Sequence, residues 1–289
     1  MWGEADYQHM RAALNIAGRG LGRVAPNPSV GCVLVQAGRV IARARTGDGG
    51  HPHAEETALE KAGEAARGAT VYVTLEPCSA RPAHTSCCDH LISAGVERVV
   101  AACGDLNPAI DGRGLARLRQ AGIDVDTGLM ADDAAALHAG FFNKHLKGRP
   151  LVALKCATSQ DGQLATASGE SQWITGQQAR RHGHMLRARH DAVLTGIGTV
   201  RADDPRLTCR IAGMQHAGTR IVLDTKAQLP IDSRLFQACA TNPLWCVVDP
   251  QQAPADKLAR LRDAGVSVIE HDPHDINGVL GKLAEAGLT

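Results

Sequence analysis

One histidine and two cysteines have the types and the spacing that suit a metal ion. His53 begins a predicted helix, Cys78 ends a predicted buried strand, and Cys87 begins the next predicted helix. One imidazole and two thiolates leave a fourth position open, which is typical of catalytic zinc, whereas structural zinc is usually closed by four protein ligands. Zinc lowers the pKa of a bound water molecule from about 15.7 to about 7. The three residues therefore predict a single zinc ion that activates water.

A glutamate beside the histidine supplies the acid–base group that such chemistry needs. Glu55 lies two residues after His53, so it can face the same cavity without binding the metal. It would take a proton from the water and pass it to a ring nitrogen and then to the departing amine. His-x-Glu followed by Pro-Cys-x-x-Cys is the signature of zinc-dependent nucleobase deaminases. Here the second cysteine comes nine positions after Cys78, and the adjacent Cys88 is an alternative ligand that spacing does not exclude.

The composition is that of a globular protein without a nucleic-acid or membrane partner. The net charge is +1 with neutral histidines, which argues against a partner held by phosphate neutralisation. A small anionic substrate remains compatible, because two or three arginines suffice to bind one phosphate. No apolar run approaches the roughly 20 residues needed to span a bilayer. The polar N-terminus and the nine cysteines, expected to be thiols, favour the cytoplasm.

Strands that alternate with helices predict an α/β sandwich around a largely parallel sheet in the first half. The apolar pattern predicts, in order, a helix over 5–17, strands over 30–35 and 40–44, a helix over 54–66, a strand over 70–74, a helix over 87–94, a strand over 96–102, a helix over 114–121, a strand over 123–125 and a helix over 131–146.

A break at 147–150, Lys-Gly-Arg-Pro, predicts the domain boundary, with one domain over 1–147 and another over 150–289. The second α/β alternation consists of a strand over 151–157, a helix over 177–189, strands over 192–195, 220–223 and 244–248, a helix over 255–264, a strand over 266–269 and a helix over 276–286.

Several short stretches carry a family resemblance. They are residues 26–32, 53–55, 74–79, 87–89, 105–108, 112–114, 168–175 and 203–208. In these stretches the chain resembles the bifunctional pyrimidine deaminase/reductase of riboflavin biosynthesis. The resemblance implies a cytidine-deaminase-like α/β/α sandwich followed by an α/β domain similar to dihydrofolate reductase. It also implies two reactions: hydrolytic deamination of 2,5-diamino-6-ribosylamino-4(3H)-pyrimidinone 5′-phosphate, then NADPH-dependent reduction of its ribosyl side chain to ribityl.

The resemblance further implies which residues bind small molecules. Asn27 corresponds to a polar contact to the pyrimidine, as suits a side-chain amide. The implied substrate contacts of the reductase are Ser171, Arg187, Leu207 and Arg210, whose arginines could bind phosphate bidentately. The implied NADPH contacts are Ala157, Trp173, Thr199, Asp203 and Thr225. A homo-oligomer is also implied, because the reductase domains of the family commonly pair.

The chain departs from the family pattern at two places. Ala80 and Ala83 stand where the family usually has a histidine and a basic residue that help to hold the substrate phosphate, so weaker substrate binding is expected. The chain also stops where the family continues with a strand and a Gly-rich loop that binds the NADPH phosphates through backbone N–H groups. If Thr289 is the true terminus, poor NADPH binding and weak or absent reductase activity are expected on this ground.

Three alternatives accompany the bifunctional interpretation. The chain could act as a deaminase alone, or it could deaminate another nucleotide, but stretches 168–175 and 203–208 have no use in a stand-alone deaminase. It could also be a non-catalytic scaffold stabilised by zinc. A structural site needs a fourth ligand and does not need Glu55, so the His-x-Glu spacing favours an enzyme.

Overall fold

The computed structural model describes residues 2–79, 85–106, 111–214 and 218–289. By its internal contacts the chain divides into two compact units, which are Met1–Leu151 together with Gly287–Thr289, and Val152–Ala286. Ala80 and Ala83 lie outside the described residues, so the expectation of weaker phosphate binding there stays a prediction.

The first unit contains a five-stranded sheet with the order β2-β1-β3-β4-β5. Its strands are β1 (Gly31–Gln36), β2 (Arg39–Arg45), β3 (Thr70–Val73), β4 (Arg98–Ala101) and β5 (Asp124–Thr127). β1 is antiparallel to β2 and β3, whereas β3, β4 and β5 are parallel. The prediction of a largely parallel sheet is therefore too simple. Ala37 and Gly38, with φ of 47° and 73°, form the two-residue turn of a hairpin, which makes β1 and β2 antiparallel.

Helices cover both faces of this sheet, as the predicted sandwich requires. They are α1 (Glu4–Ala17), α2 (Ala54–Ala62), α3 (Cys87–Ala94), α4 (Arg113–Gln120), α5 (Ala131–Leu137) and α6 (Ala139–Lys147), with short 3-10 turns at Asp48–Gly50 and Gly63–Ala66. Val71 and Val73 face a core shared with α2, α3, α4 and α6. The intervening Tyr72 faces the opposite core, shared with α1 and α5. Alternating side chains of a strand point to opposite faces, so both layers follow from the apolar pattern.

The helix predicted over 131–146 is in fact two helices that meet at His138. Its imidazole is buried, and Nε2 lies 3.3 Å from the carbonyl oxygen of Thr74, just beyond the end of β3. The residue has φ −91° and ψ 6°, which ends α5 before α6 begins. A tertiary contact therefore interrupts a stretch whose apolar pattern is helical throughout.

The second unit contains a four-stranded sheet with the order β6-β7-β8-β9 in which all neighbouring strands are parallel. Its strands are β6 (Ala192–Gly196), β7 (Thr219–Leu223), β8 (Leu244–Val248) and β9 (Ser267–Glu270). Its helices are α7 (Gln177–Arg189), α8 (Ile197–Asp203), α9 (Arg234–Gln237), α10 (Ala255–Asp263) and α11 (Ile276–Glu285). The α/β alternation predicted here is confirmed, with the short helices α8 and α9 added.

The strand predicted over 151–157 is wrong. These residues form neither a helix nor a strand, and Val152 and Leu154 are 61% and 89% exposed. An apolar run indicates a strand only where another strand supplies backbone partners. The described part of the second sheet consists of β6 to β9, and none of these strands pairs with the segment.

All nine cysteines are free thiols, as expected from the sequence. They include the buried Cys32 and Cys246 as well as the predicted ligands. Among the described residues, every helix is too short or too polar to cross a bilayer.

Candidate zinc centre and active site

Three predicted ligand atoms meet at the starts of α2 and α3. His53 Nδ1 lies 3.2 Å from Cys87 Sγ and 3.8 Å from Cys78 Sγ. All three ligand atoms lie within 4.8 Å of one another. Tetrahedral zinc, with Zn–N of about 2.0–2.1 Å and Zn–S of about 2.3 Å, requires N···S separations of roughly 3.6 Å. The donor set and its spacing therefore fit one zinc ion with a fourth position left open.

Polar contacts at the two helix starts hold the ligands in place. The backbone N–H of His53, which precedes α2, donates to Glu56 Oε2 at 2.7 Å. Glu56 Oε1 lies 3.6 Å from His90 Nε2, so a single carboxylate contacts both ligand-bearing helices. Ser86 precedes α3, and its Oγ accepts a hydrogen bond from the backbone N–H of Asp89 at 3.2 Å. Such contacts satisfy N–H groups that a helix start leaves unpaired.

The two cysteines form a coupled pair. The backbone N–H of Cys87 donates to Cys78 Sγ at 3.3 Å. The hydrogen bond from the Cys87 side chain lowers the pKa of Cys78, although burial acts in the opposite direction. The same side-chain contact raises the pKa of Cys87. The pair therefore favours a thiolate at Cys78, and a metal ion held by both sulfurs requires the second proton to leave as well.

Glu55 is buried beside these ligands. The residue is 3% exposed, and a hydrogen bond links its side chain to that of Cys87. Burial raises the pKa of Glu55 to about 7, while the neighbouring imidazole of His53 opposes this shift. A carboxyl group with a pKa near the working pH can both accept and release a proton.

Cys88 faces away from the ligand group. Its Sγ donates to the carbonyl oxygens of Pro77 at 3.4 Å and Gly114 at 3.5 Å. Burial raises the pKa of Cys88 to about 12. The geometry therefore favours Cys87 over Cys88 as the second cysteine ligand, an alternative that the spacing had left open.

Asn27 lies close to the histidine ligand. Its Nδ2 donates to the carbonyl oxygen of Gly50 at 2.9 Å and lies 3.3 Å from His51 Nε2. The rings of His51 and His53 stack with centroids 5.2 Å apart. A Cβ on Gly50, whose φ is +92°, would lie 2.5 Å from Asn27 Nδ2, so glycine permits this close approach. The predicted pyrimidine contact and the predicted metal ligand therefore belong to one neighbourhood.

Sequence reasoning missed two side chains around this centre, Glu56 and Arg117. Arg117 Nη1 donates to the carbonyl oxygen of Ser79 at 3.1 Å, and its Nη2 pairs with Asp89. The signal for Glu56 was its place three residues after His53, where a glutamate commonly caps a helix. Arg117 gave no signal, because its partners are distant in sequence.

The second unit brings two of its predicted residues together. Arg187 Nη1 lies 3.1 Å from His184 Nδ1, and the backbone N–H of Arg210 donates to the same nitrogen at 3.3 Å. Burial lowers the pKa of Arg187, and the positive charge of Arg210 lowers it further. Two guanidinium groups that repel each other are suited to an anion, since each can bind phosphate bidentately.

The other residues predicted in this unit are more dispersed. Trp173 is 70% exposed, with the Arg180 guanidinium 4.5 Å from its ring centroid. The exposed residues are Ser171, Thr199 and Asp203, and the half-buried ones are Ala157, Leu207 and Thr225. Thr199 and Asp203 share α8. Over the ranges that the structure describes, no hydrogen bond joins these residues to Arg187.

Two family models match the chain. The cytidine and deoxycytidylate deaminase zinc-binding region matches residues 4–103, and the RibD C-terminal domain matches residues 150–289. The first of these contains all three predicted zinc ligands and Glu55. The two models therefore correspond to the two kinds of chemistry that the sequence predicts.

Known proteins resemble the chain over most of its length. Riboflavin biosynthesis protein RibD of Aquifex aeolicus is 38% identical over 282 residues, which cover 98% of this chain and 78% of that protein. The RibD protein of Escherichia coli is 53% identical over 246 residues, which cover 85% of this chain and 64% of that protein. The chain thus spans about two thirds to four fifths of the length of these relatives.

Solved structures agree with the sequence relatives. A diaminohydroxyphosphoribosylaminopyrimidine deaminase/5-amino-6-(5-phosphoribosylamino)uracil reductase from Thermotoga maritima gives a TM-score of 0.86 at 34% identity, with 98% of this chain and 79% of that chain covered. RibD of Acinetobacter baumannii gives the same TM-score at 39% identity, with 98% and 78% covered. The chain therefore belongs to the RibD family of riboflavin biosynthesis enzymes, with a zinc-binding deaminase region followed by a RibD C-terminal domain.

Proposed function

We propose that the chain catalyses two successive steps of riboflavin biosynthesis. The first is the hydrolytic deamination of 2,5-diamino-6-ribosylamino-4(3H)-pyrimidinone 5′-phosphate, and the second is the NADPH-dependent reduction of its ribosyl side chain to ribityl. The observation that carries the proposal is the open three-ligand group beside a buried glutamate in a member of the RibD family. The alternatives, a deaminase alone or a deaminase for another nucleotide, are not favoured, because a RibD C-terminal domain follows the zinc region.

His53, Cys78 and Cys87 are the proposed zinc ligands and Glu55 the proton carrier of the deaminase. When bound, zinc supplies a water molecule whose pKa is lowered to about 7. Glu55 would take one proton from that water and deliver it to the ring nitrogen beside the amine. It would then take the second proton, from the hydroxyl group added to the ring carbon, and pass it to the amine, which leaves as ammonia. Burial of its carboxyl group supports this role, because bulk water does not compete for the proton. Asn27, held by Gly50, orients the pyrimidine ring.

Arg187 and Arg210 are the proposed phosphate contacts of the reductase, with Ser171 and Leu207 beside the rest of the substrate. Their support is that the Arg187 side chain and the Arg210 backbone N–H both contact His184, and that the positive charge of Arg210 lowers the pKa of Arg187. NADPH, which supplies the hydride, is proposed to bind at Ala157, Trp173, Thr199, Asp203 and Thr225. Thr225 follows the carboxyl end of β7, and ligands of open parallel sheets bind at that end of the strands.

The proposed domains are a deaminase domain over 1–147 and a reductase domain over 150–289. Helix α6 ends at Lys147, and Gly148 adopts a left-handed conformation with φ 63°. Glycine in this conformation commonly terminates a helix. The RibD C-terminal model begins at residue 150, which supports the same division.

A small-molecule pyrimidine is the partner that the family implies, and we further propose a cytoplasmic homo-oligomer. Nine free thiols suit a reducing compartment. The exposed apolar side chains of Val152 and Leu154 support association, since apolar patches commonly mark interfaces. Light scattering of purified protein is expected to give at least the mass of a dimer. A monomeric mass at all concentrations would contradict the oligomer.

The reaction itself is tested by two assays on the same protein. Ammonia release from the diaminopyrimidine phosphate, measured without NADPH, reports deamination alone. Oxidation of NADPH, started with the deaminated product, reports reduction alone. We expect both signals. Ammonia release without NADPH oxidation would instead match the weak or absent reductase activity expected from the departure from the family pattern. Ammonia release from an unphosphorylated cytidine or adenosine, but not from the diaminopyrimidine phosphate, would overturn the proposed substrate.

A further inference from the structure

Glu76 is a buried carboxylate that the deamination reaction does not use. The residue is 4% exposed. Its Oε1 accepts hydrogen bonds from the backbone N–H groups of Gly114 at 2.8 Å and Leu115 at 3.4 Å. Its Oε2 accepts from the N–H groups of Gly112 at 3.0 Å and Asp105 at 3.3 Å. Four donors, three of them at the start of α4, compensate a buried charge that would otherwise be costly.

The Pro77 peptide, next to Glu76, makes close contacts of its own with α4 and α3. A Cβ on Gly114 would lie only 2.0 Å from the Pro77 carbonyl oxygen, so the backbone of α4 packs directly on that peptide. The thiol of Cys88 donates to the carbonyl oxygens of both Pro77 and Gly114. The segment that leads into Cys78 therefore contacts both α4 and α3.

We propose that Glu76 is a positioning residue of the zinc centre. By binding backbone N–H groups of Asp105 and of the start of α4, its carboxylate fixes the Pro77 peptide and so holds Cys78 Sγ at ligand distance from His53. The inference rests on the proposed zinc site. It also gives a physical reason why three of the stretches that carry the family resemblance, 74–79, 105–108 and 112–114, occur together. Glu76 lies in the first of them and accepts hydrogen bonds from described residues of the other two.

The hydrogen-bond pattern at this position requires a carboxylate, which has two accepting oxygens. Each oxygen of Glu76 accepts two N–H groups. In Glu76→Gln, which has nearly the same size, an NH₂ group replaces one oxygen and faces two donors. Glu76→Asp keeps the negative charge but shortens the side chain by one methylene group.

The test compares the zinc affinity of the original chain with that of its variants by competition with a chromophoric chelator. Replacing a residue that orients a metal ligand typically weakens metal binding by about 10- to 100-fold. We expect Glu76→Gln to lose affinity in this range and to shift the visible absorption bands of the Co²⁺-loaded protein, because the position of Cys78 changes. Glu76→Asp is expected to lose less.

Asp6→Asn is the matched control for a loss of stability alone. Asp6 accepts hydrogen bonds from Tyr72 Oη at 2.7 Å, Arg98 Nη1 at 3.1 Å and the backbone N–H of Gly3 at 2.9 Å. Tyr72 belongs to the core on the other face of the sheet. This variant should lower the melting temperature while leaving zinc affinity and the Co²⁺ spectrum unchanged.

A folded Glu76→Gln variant with the affinity and spectrum of the original chain would overturn the inference while leaving the proposed function intact. If Glu76→Gln does not fold, a Glu76→Asp variant that binds zinc as tightly as the original chain would overturn the inference instead. An original chain that binds no zinc would overturn both the inference and the proposed deaminase.

Discussion

The zinc centre of the first unit and the arginine pair of the second unit are assembled in different ways. At the candidate zinc centre the proposed ligands stand at two helix starts and beyond a strand end, and Cys87 and Glu55 are buried. In the second unit Arg210 is exposed, and residues 151–159 belong to no helix or strand. There His184 contacts the side chain of Arg187 and the backbone N–H of Arg210.

The difference follows from what each site would bind, a metal ion in the first unit and a phosphate group in the second. A metal ion contacts only atoms within a few ångström, so the protein must fix every ligand through caps and backbone contacts before the ion arrives. A phosphate is larger and carries charge, and it can draw together guanidinium groups that otherwise repel each other. Binding at the first site is therefore expected to be sensitive to the replacement of single atoms. Binding at the second site is expected to depend on how many positive charges are present.

Replacing Glu55 is expected to have the largest effect. Glu55→Gln keeps the size of the side chain but removes the proton acceptor, so ammonia release should fall by about 10²- to 10⁴-fold. Zinc content, measured by atomic absorption, should stay at one ion per chain. Glu60→Gln, an exposed position on the same helix, is the control and should keep full activity. Unchanged ammonia release in Glu55→Gln would remove Glu55 from the mechanism.

Exchanging the adjacent cysteines tests whether single atoms decide the first site. Cys87→Ser removes a proposed ligand and should weaken zinc binding by more than the roughly 10- to 100-fold typical of outer contacts. Cys88→Ser keeps a donor toward Pro77 and Gly114 and should retain zinc. Chelator competition compares the two variants. Equal zinc loss in both would contradict the preference for Cys87 over Cys88, and full retention in both would show that the thiols are interchangeable.

Acid should destabilise the first unit through His138. Burial lowers its pKa from 6.5 to about 4, although the hydrogen bond to Thr74 opposes this. In the unfolded chain the imidazole binds a proton below about pH 6.5, whereas in the folded chain it does so only below about pH 4. The contribution of His138 to the free energy of unfolding is therefore complete above pH 6.5 and is lost as the pH falls toward 4. The full loss is about 3 kcal/mol.

Hydrogen exchange of first-unit peptides in chelator, at pH 7 and pH 5, measures this loss without a contribution from metal release. His138→Gln should show a smaller difference between the two pH values than the original chain. The same pH dependence in both proteins would assign the acid sensitivity to other groups.

Removing one arginine of the second unit should have the smallest effect. Arg187→Ala loses a charge-assisted hydrogen bond of about 1.5–3 kcal/mol, which corresponds to roughly a tenfold to hundredfold rise in the KM for the deaminated substrate. Ammonia release should not change. Arg189→Ala, exposed at the end of the same helix, is the control. An unchanged KM in Arg187→Ala would place the phosphate elsewhere.

The sequence predicted most of the regular structure because apolar periodicity is a local property. The alternation of helices and strands in both halves is confirmed, as are the free cysteines. The strand predicted over 151–157 was wrong because strand formation needs a partner outside the window. The break at His138 was missed because its cause is a contact with Thr74, 64 residues away.

The residue types by themselves determined the chemistry of this protein. One imidazole, two thiols and a nearby glutamate at the ends of predicted elements predict a zinc deaminase site, since His53 is two residues from Glu55 and Cys78 is nine from Cys87. Only the tertiary structure decided which thiol faces the ligand group, that His51 stacks on His53, and that Glu76 holds α4. Those outcomes depend on the direction of side chains and on backbone donors that are up to 39 residues away in the chain.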